Sequence, residues 1–139
     1  MGSEDQVQLV RRLFDEGFSG GDTAVVDELM SEDFREHQHG VGRGREGVKA
    51  LIRQLHSWFS DLTLTIEALA EDGDTIWARL KGRGTNTGPI MGHPPTGRRI
   101  EIDVIDIIRF SDGKMVEHWG VPDSLGMMQQ VGLIPAPER

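Results

Sequence analysis

The chain has 139 residues, 23 of them acidic and 15 Lys or Arg, for a formal net charge of -8. That length supports one domain with one core, and the charge makes nucleic acid and anionic membrane poor partners. No cysteine is present, which excludes disulfides, thiolate nucleophiles and cysteine-based zinc sites; no apolar run approaches the ~20 residues of a membrane span and no signal-peptide core opens the chain, so a cytoplasmic protein is expected.

Residues 1–139 read as a single domain in which 133–139 form a loose tail. Val7, Val10, Leu13, Phe14 and Phe18 recur at helical spacing, and residues 19–23 (SGGDT) end that helix. Residues 23–30 read as a second, short helix capped by Asp22, and residues 33–38 (DFREHQ) as a short strand. Val48, Leu51, Ile52, Leu55, Trp58 and Phe59 then mark the clearest amphipathic helix of the chain. From Leu62 the period changes to two. Leu62, Leu64 and Ile66 alternate with Thr63, Thr65 and Glu67, then Ile76, Ala78 and Leu80 follow. A loop (NTGPIMGHPPTG) leads to a strand over 100–110 and a final strand after residues 111–114 (SDGK). Asp72-Gly73 and Asp112-Gly113 are hairpin signals. Three helices followed by an antiparallel meander give an α+β domain: helices packed on a curved, mainly antiparallel sheet that encloses a pocket.

Strand parity selects the residues of interest. Ile100, Ile102, Val104, Asp106 and Ile108 share one face, and Val116, His118 and Gly120 share a face of the next strand. Asp106 and His118 are then neighbours across antiparallel strands. One reading is a satisfied core ion pair; the other is an acid/base pair in a pocket, because a carboxyl in apolar surroundings has its pKa raised. The opposite face, with Ile105, Ile107, Trp119 and Val121, is too apolar for a solvated sheet. A homodimer packed through this outer face is expected, with overhang by the C-terminal segment as the local alternative.

Other candidates have competing readings. His37 and His39 have the spacing of a metal pair and, with His118 or Asp106, would make a three-ligand site; His39 as a simple loop residue is the alternative. Residues 42–47 (GRGREG) lack a Walker lysine and a preceding long strand, so no phosphate cradle is expected. His93 reads as a loop residue near the pocket mouth, and Met91, Met127 and Met128 as adaptable packing. The inward stripes make Phe14, Leu51, Leu55 and Trp58 candidate lining residues of the enclosed pocket, with Met91 beside them as a candidate ligand contact.

Residues 88–132 (GPIMGHPPTGRRIEIDVIDIIRFSDGKMVEHWGVPDSLGMMQQVG) and 33–62 (DFREHQHGVGRGREGVKALIRQLHSWFSDL) carry a resemblance. The chain resembles the SnoaL-like polyketide cyclases of the nuclear transport factor 2-like superfamily. The resemblance implies a cone-shaped α+β barrel with an internal site and a role in antibiotic biosynthesis. It also implies intramolecular aldol closure of a polyketide ring without metal or organic cofactor, using an aspartate on the final strand. That position holds Gly120 here, and Asp106 stands where family cyclases place a histidine. A glycine there leaves room, so Gly120→Asp is expected to cost little stability if the pocket is open. Asn86 matches a pocket histidine of many members and is expected to orient a substrate carbonyl. The stretch VIDIIRF with DGKMV also resembles the ketosteroid isomerases, whose base position falls near His37; the absence of tyrosine speaks against isomerisation. Three functions follow: a cyclase in which His37 or His118 removes a proton and Asp106 stabilises the enolate, a hydroxylase of the same family, or a non-catalytic small-molecule binder.

Overall fold

The N-terminal helix of the computed structural model, which describes residues 3–137, is built in two geometries. α1 (Ser3–Arg12) has Glu4 and Asp5 in its first turn and Arg11 and Arg12 in its last, signs that complement the helix dipole. From Leu13 to Ser19 it continues as a π-helix, and the wider turn sets Leu13, Phe14, Gly17 and Phe18 all on the buried side. Phe14 and Phe18 pack with ring centroids 5.6 Å apart. α2 (Ala24–Leu29) follows at once; its N-cap is Thr23, which makes no side-chain cap bond, rather than the expected Asp22, whose Oδ1 accepts from the Ala24 N–H at 3.0 Å one residue ahead of that position. β1 (Met30–Glu36) and α3 (Gly44–Trp58) come next, and α3 packs on β1 with Val48 and Ile52 buried.

β2 (Thr63–Asp72), β3 (Thr75–Thr85), β4 (Arg99–Ser111) and β5 (Lys114–Pro122) form an antiparallel meander. β1 adds in parallel to β5, giving the order β1-β5-β4-β3-β2. The sheet therefore has two edges, β1 and β2, and is open rather than a closed barrel; helices complete the enclosure. Asp112 and Gly113, at φ 50 and 77, are the two turn residues between β4 and β5, and both sit where a type I′ turn needs positive φ. Between β2 and β3 the turn falls one residue later than expected, at Gly73-Asp74, because Asp72 pairs with Thr75.

A bulge changes the parity of β5. Arg109 pairs with Glu117 but Phe110 pairs with Met115, so Val116 is the extra residue. Met115, fully buried, takes the inward place assigned to Val116 on strict alternation, while Val116 is only half-buried.

A fourth helix, α4 (Ser124–Val131), stands where no helix was expected. Asp123 accepts from the Gly126 N–H at 2.9 Å to start it, and Gly132 at φ 89 ends it. It packs on β4 and buries Met127 and Val131. It does not cover the outer sheet face, where Trp77, Ile105, Trp119 and Val121 remain 47, 40, 37 and 69% exposed. The described part of the tail, residues 133–137, has no helix or strand, and residues 138 and 139 of the expected tail lie outside the described residues. Among the described residues no helix is long and apolar enough to cross a membrane.

Candidate active site

A cavity of about 270 Å³ lies between the inner sheet face and the helices. The π-helical stretch contributes Phe14 and Phe18 to its wall, α3 contributes Leu51, Leu55 and Trp58, β4 contributes Ile102 and Val104, and α4 contributes Met127. Met91 lines it from the loop before β4, 63% exposed and at φ 47. Against these apolar walls stand Asp106, His118, Gln38, His39 and Gln54. A concave, apolar space with few convergent polar groups is the general form of a small-molecule site.

The polar centre is a chain of three buried side chains from three strands. Asp106 on β4 pairs in register with Gly120, and Ile108 with His118, so Asp106 and His118 are diagonal inward neighbours. His118 Nε2 lies 2.5 Å from Asp106 Oδ1. Its Nδ1 lies 2.6 Å from Glu36 Oε1, at the end of β1, whose side chain is 2% exposed. Burial disfavours charge on the ring, but the hydrogen bonds to Asp106 and then Glu36 outweigh it and raise the His118 pKa to about 9. Near neutrality both ring nitrogens therefore donate. An imidazolium in this state has no lone pair with which to accept a proton, so His118 is not the base that residue type alone suggested.

Gly120 does not open onto empty space. A Cβ built there would lie 2.2 Å from Gln38 Oε1, 2.7 Å from Asp106 Oδ1 and 2.8 Å from His118 Cε1. The volume that a side chain at 120 would take is already occupied by the amide of Gln38 and by the Asp106–His118 pair. The expectation that Gly120→Asp fills a vacancy is thus overturned, and Gly120 is not a wall of the cavity.

His37 is also placed elsewhere. It lies outside the sheet, stacked on Trp119 at 4.8 Å and 12°, with Nε2 2.7 Å from Glu117 Oε2. Glu117 further pairs with Arg109 at 3.0 Å and Arg35 at 3.2 Å. The His37 bond, reinforced by the two arginines, holds the Glu117 carboxyl below its ordinary range. His39 lies past the end of β1 at the cavity, so the two histidines do not share a face and the three-ligand metal set is not assembled. Asn86 is buried, with every polar group used inside the fold. Its Nδ2 donates to the carbonyls of Gly88 (2.8 Å) and Trp58 (3.2 Å), and its Oδ1 accepts from Thr96 N (2.8 Å) and Oγ1 (3.0 Å). It anchors the loop and has nothing left for a substrate carbonyl. His93 is exposed on the same loop.

Glu36 and Gln38 are the inward residues that sequence reasoning missed. The signal was present: Phe34, Glu36 and Gln38 alternate with Arg35 and His37, and Phe34 is the apolar member that marks the buried side.

A family model described as SnoaL-like polyketide cyclase matches residues 8–131. The aklanonic acid methyl ester cyclase DauD of Streptomyces sp. (strain C5) is 34% identical over 133 residues, 91% of this chain and 81% of that protein. The nogalonic acid methyl ester cyclase of Streptomyces nogalater is 30% identical over 119 residues, 83% of this chain and 89% of that protein. The solved structure of TsrD from Streptomyces laurentii superposes with a TM-score of 0.87 at 34% identity, covering 96% of this chain and 99% of that one.

Proposed function

Because the chain belongs to the SnoaL-like polyketide cyclase family, we propose that it closes a ring of an aromatic polyketide ester by intramolecular aldol condensation, with Asp106 as the general acid/base. The observation that carries this reading is the Asp106 carboxyl: it faces an apolar cavity with one oxygen, Oδ1, held by His118. The proton-transferring carboxyl thus comes from β4, opposite the final-strand position that Gly120 occupies. This exchanges the roles drawn from sequence, since His118, protonated on both nitrogens up to about pH 9, serves as the hydrogen-bond donor and Asp106 as the base.

The steps balance without an outside reactant. Asp106 takes a proton from the carbon α to a substrate carbonyl, and the resulting enolate carbon attacks a second carbonyl of the same molecule. One C–C bond forms, and the new alkoxide recovers the proton from Asp106. The His118 imidazolium, fixed before substrate arrives, compensates the negative charge that passes between carboxyl and enolate. Phe14, Leu51, Leu55 and Trp58 hold the ring system by apolar contact.

Incubation of the purified protein with aklanonic acid methyl ester, with and without a reductase and oxygen, tests the reading. A cyclised product of unchanged mass supports it. A product that has gained oxygen assigns the chain to hydroxylation instead, and unmodified ligand retained by the protein assigns it to binding.

The assembly is read from the outer face. Trp77, Ile107 and Trp119 form a cross-strand row on β3, β4 and β5, with Ile105 and Val121 beside it. A contiguous apolar surface on the convex side of an open sheet is best covered by its two-fold copy, and we infer a homodimer through this face.

A further inference from the structure

Glu36 has no part in the steps above, yet it is the most enclosed member of the three-residue chain. A carboxyl at 2% exposure is costly unless it is paired. One oxygen, Oε1, receives two donors: His118 Nδ1 at 2.6 Å and the backbone N–H of Gln38 at 2.9 Å. The first bond ties the imidazole at the nitrogen opposite the one that holds Asp106, so the ring has no free rotation about χ2. The second ties the chain just beyond β1, the point from which the Gln38 side chain crosses Gly120 and reaches the cavity.

We propose that Glu36 is a positioning residue of the reaction: through His118 it fixes the Asp106 carboxyl, and through the Gln38 backbone it sets the Gln38 amide beside that carboxyl, where it meets the substrate. Gly120 belongs to the same device, because any side chain there would collide with Gln38, Asp106 and His118 together. The proposal rests on the reading of Asp106 as the acid/base. The charged groups facing His118 are Glu36 from β1 and Asp106 from β4; His39 lies on the cavity that His118 also lines, Glu117 points outward, and the helices set Phe14, Val48 and Leu51 beside the ring and the uncharged Gln54 and Ser124 on the cavity.

Glu36→Gln separates charge from shape, since the amide oxygen can still accept from both donors. In substrate-free protein, the His118 ring resonances followed by NMR should titrate near 9 in the wild type and move back toward the ordinary ~6.5 in the variant. On a turned-over polyketide ester, kcat should fall on the order of 10²-fold while KM changes less than about threefold. Glu36→Asp should recover part of both. A merely structural Glu36 would lower the melting temperature without splitting kcat from KM. If the wild type turns over substrate and Glu36→Gln keeps kcat within about twofold, the proposal is overturned. It is equally overturned if the His118 titration does not move. Should the wild type be inert towards every ester tried, the cyclase reading fails by itself, and a His118 titration that Glu36→Gln leaves in place would overturn the coupling of Glu36 to His118 as well. Should Glu36→Gln fail to fold, Glu36→Asp, whose shorter side chain withdraws the carboxyl from His118 Nδ1, should still lower kcat more than about threefold with KM little changed, and an unchanged kcat would overturn the proposal.

Discussion

Replacing Gly120 by aspartate would restore the carboxyl of the family cyclases, and the structure predicts that the protein will not accept it freely. The new Cβ would press on three atoms at 2.2, 2.7 and 2.8 Å. Gln38 Oε1 is the far end of a flexible side chain and swings away at small cost. Asp106 and His118 are pinned to each other at 2.5 Å and His118 to Glu36 at 2.6 Å; they move only by breaking a charge-assisted bond, which contributes about 1.5–3 kcal/mol. Overpacking adds about 1–3 kcal/mol, and the added carboxyl would stand against an existing one. Gly120→Asp should therefore lose roughly 3–6 kcal/mol, a large part of the ~5–15 kcal/mol that holds a domain together. Gly120→Ala, which adds the Cβ without the charge, should lose about 1–3 kcal/mol and several degrees of melting temperature. Urea denaturation of the two variants beside wild type measures both numbers. A Gly120→Asp protein within about 0.5 kcal/mol of wild type would mean that the space at 120 is free, and the account of that face would fall with it.

Asp106→Asn should reduce turnover by ~10²–10⁴-fold while leaving ligand binding nearly intact, measured by fluorescence titration beside steady-state kinetics; a loss under about tenfold removes Asp106 from the chemistry. His118 has its folded pKa raised from 6.5 to about 9, so its share of stability is fully present below about 6.5 and is lost as pH rises through about 9. That share is on the order of 3 kcal/mol. The wild-type advantage over His118→Gln in denaturant midpoint should shrink across that window; a constant difference would refute the charged ring. Light scattering at micromolar concentration should give the dimer mass, and Ile107→Glu should yield monomer or precipitate because it sets an unpaired charge in a desolvated contact. A wild-type monomer would remove the argument from the outer face.

How far the sequence could be read depended on the length of uninterrupted alternation. β4 alternates from Ile100 to Phe110 without a break, so Asp106 stands out as the one carboxyl on an aliphatic face; the register of the Asp112-Gly113 turn continued without a bulge would put Trp119 opposite it, and only the extra residue Val116 brings His118 to the inner face. β1 is short and its pairing with β5 shifts between Met30 and Arg35, so its alternation is too brief to single out the inward Glu36 and Gln38. Nothing in the residues of β5 announces the bulge at Val116, which exchanged Met115 for Val116 on the inner face. α4 escaped notice because only Met127 and Val131 of its eight residues are buried, too narrow a stripe to show a period. The occupied space at Gly120 was beyond reach, since it is filled from a strand that joins β5 only in three dimensions.

One side chain of α4 bears on the solubility of the molecule. β5 ends at Pro122 opposite Val104, which leaves residues 99–103 of β4 without a strand on that flank. Asp123 N–H reaches the carbonyl of Asp103 at 3.0 Å, and the Gln130 amide takes both the N–H and the carbonyl of Glu101, at 2.7 and 3.0 Å. A glutamine side chain thus imitates one peptide unit of an absent neighbour. Bare strand edges are templates on which other chains add and grow into aggregates, and here the template is capped by an amide carried on the helix that also closes the cavity. Whatever loosens that helix exposes the edge, so crowding of the chain with its own kind and opening of the cavity are tied to the same few bonds.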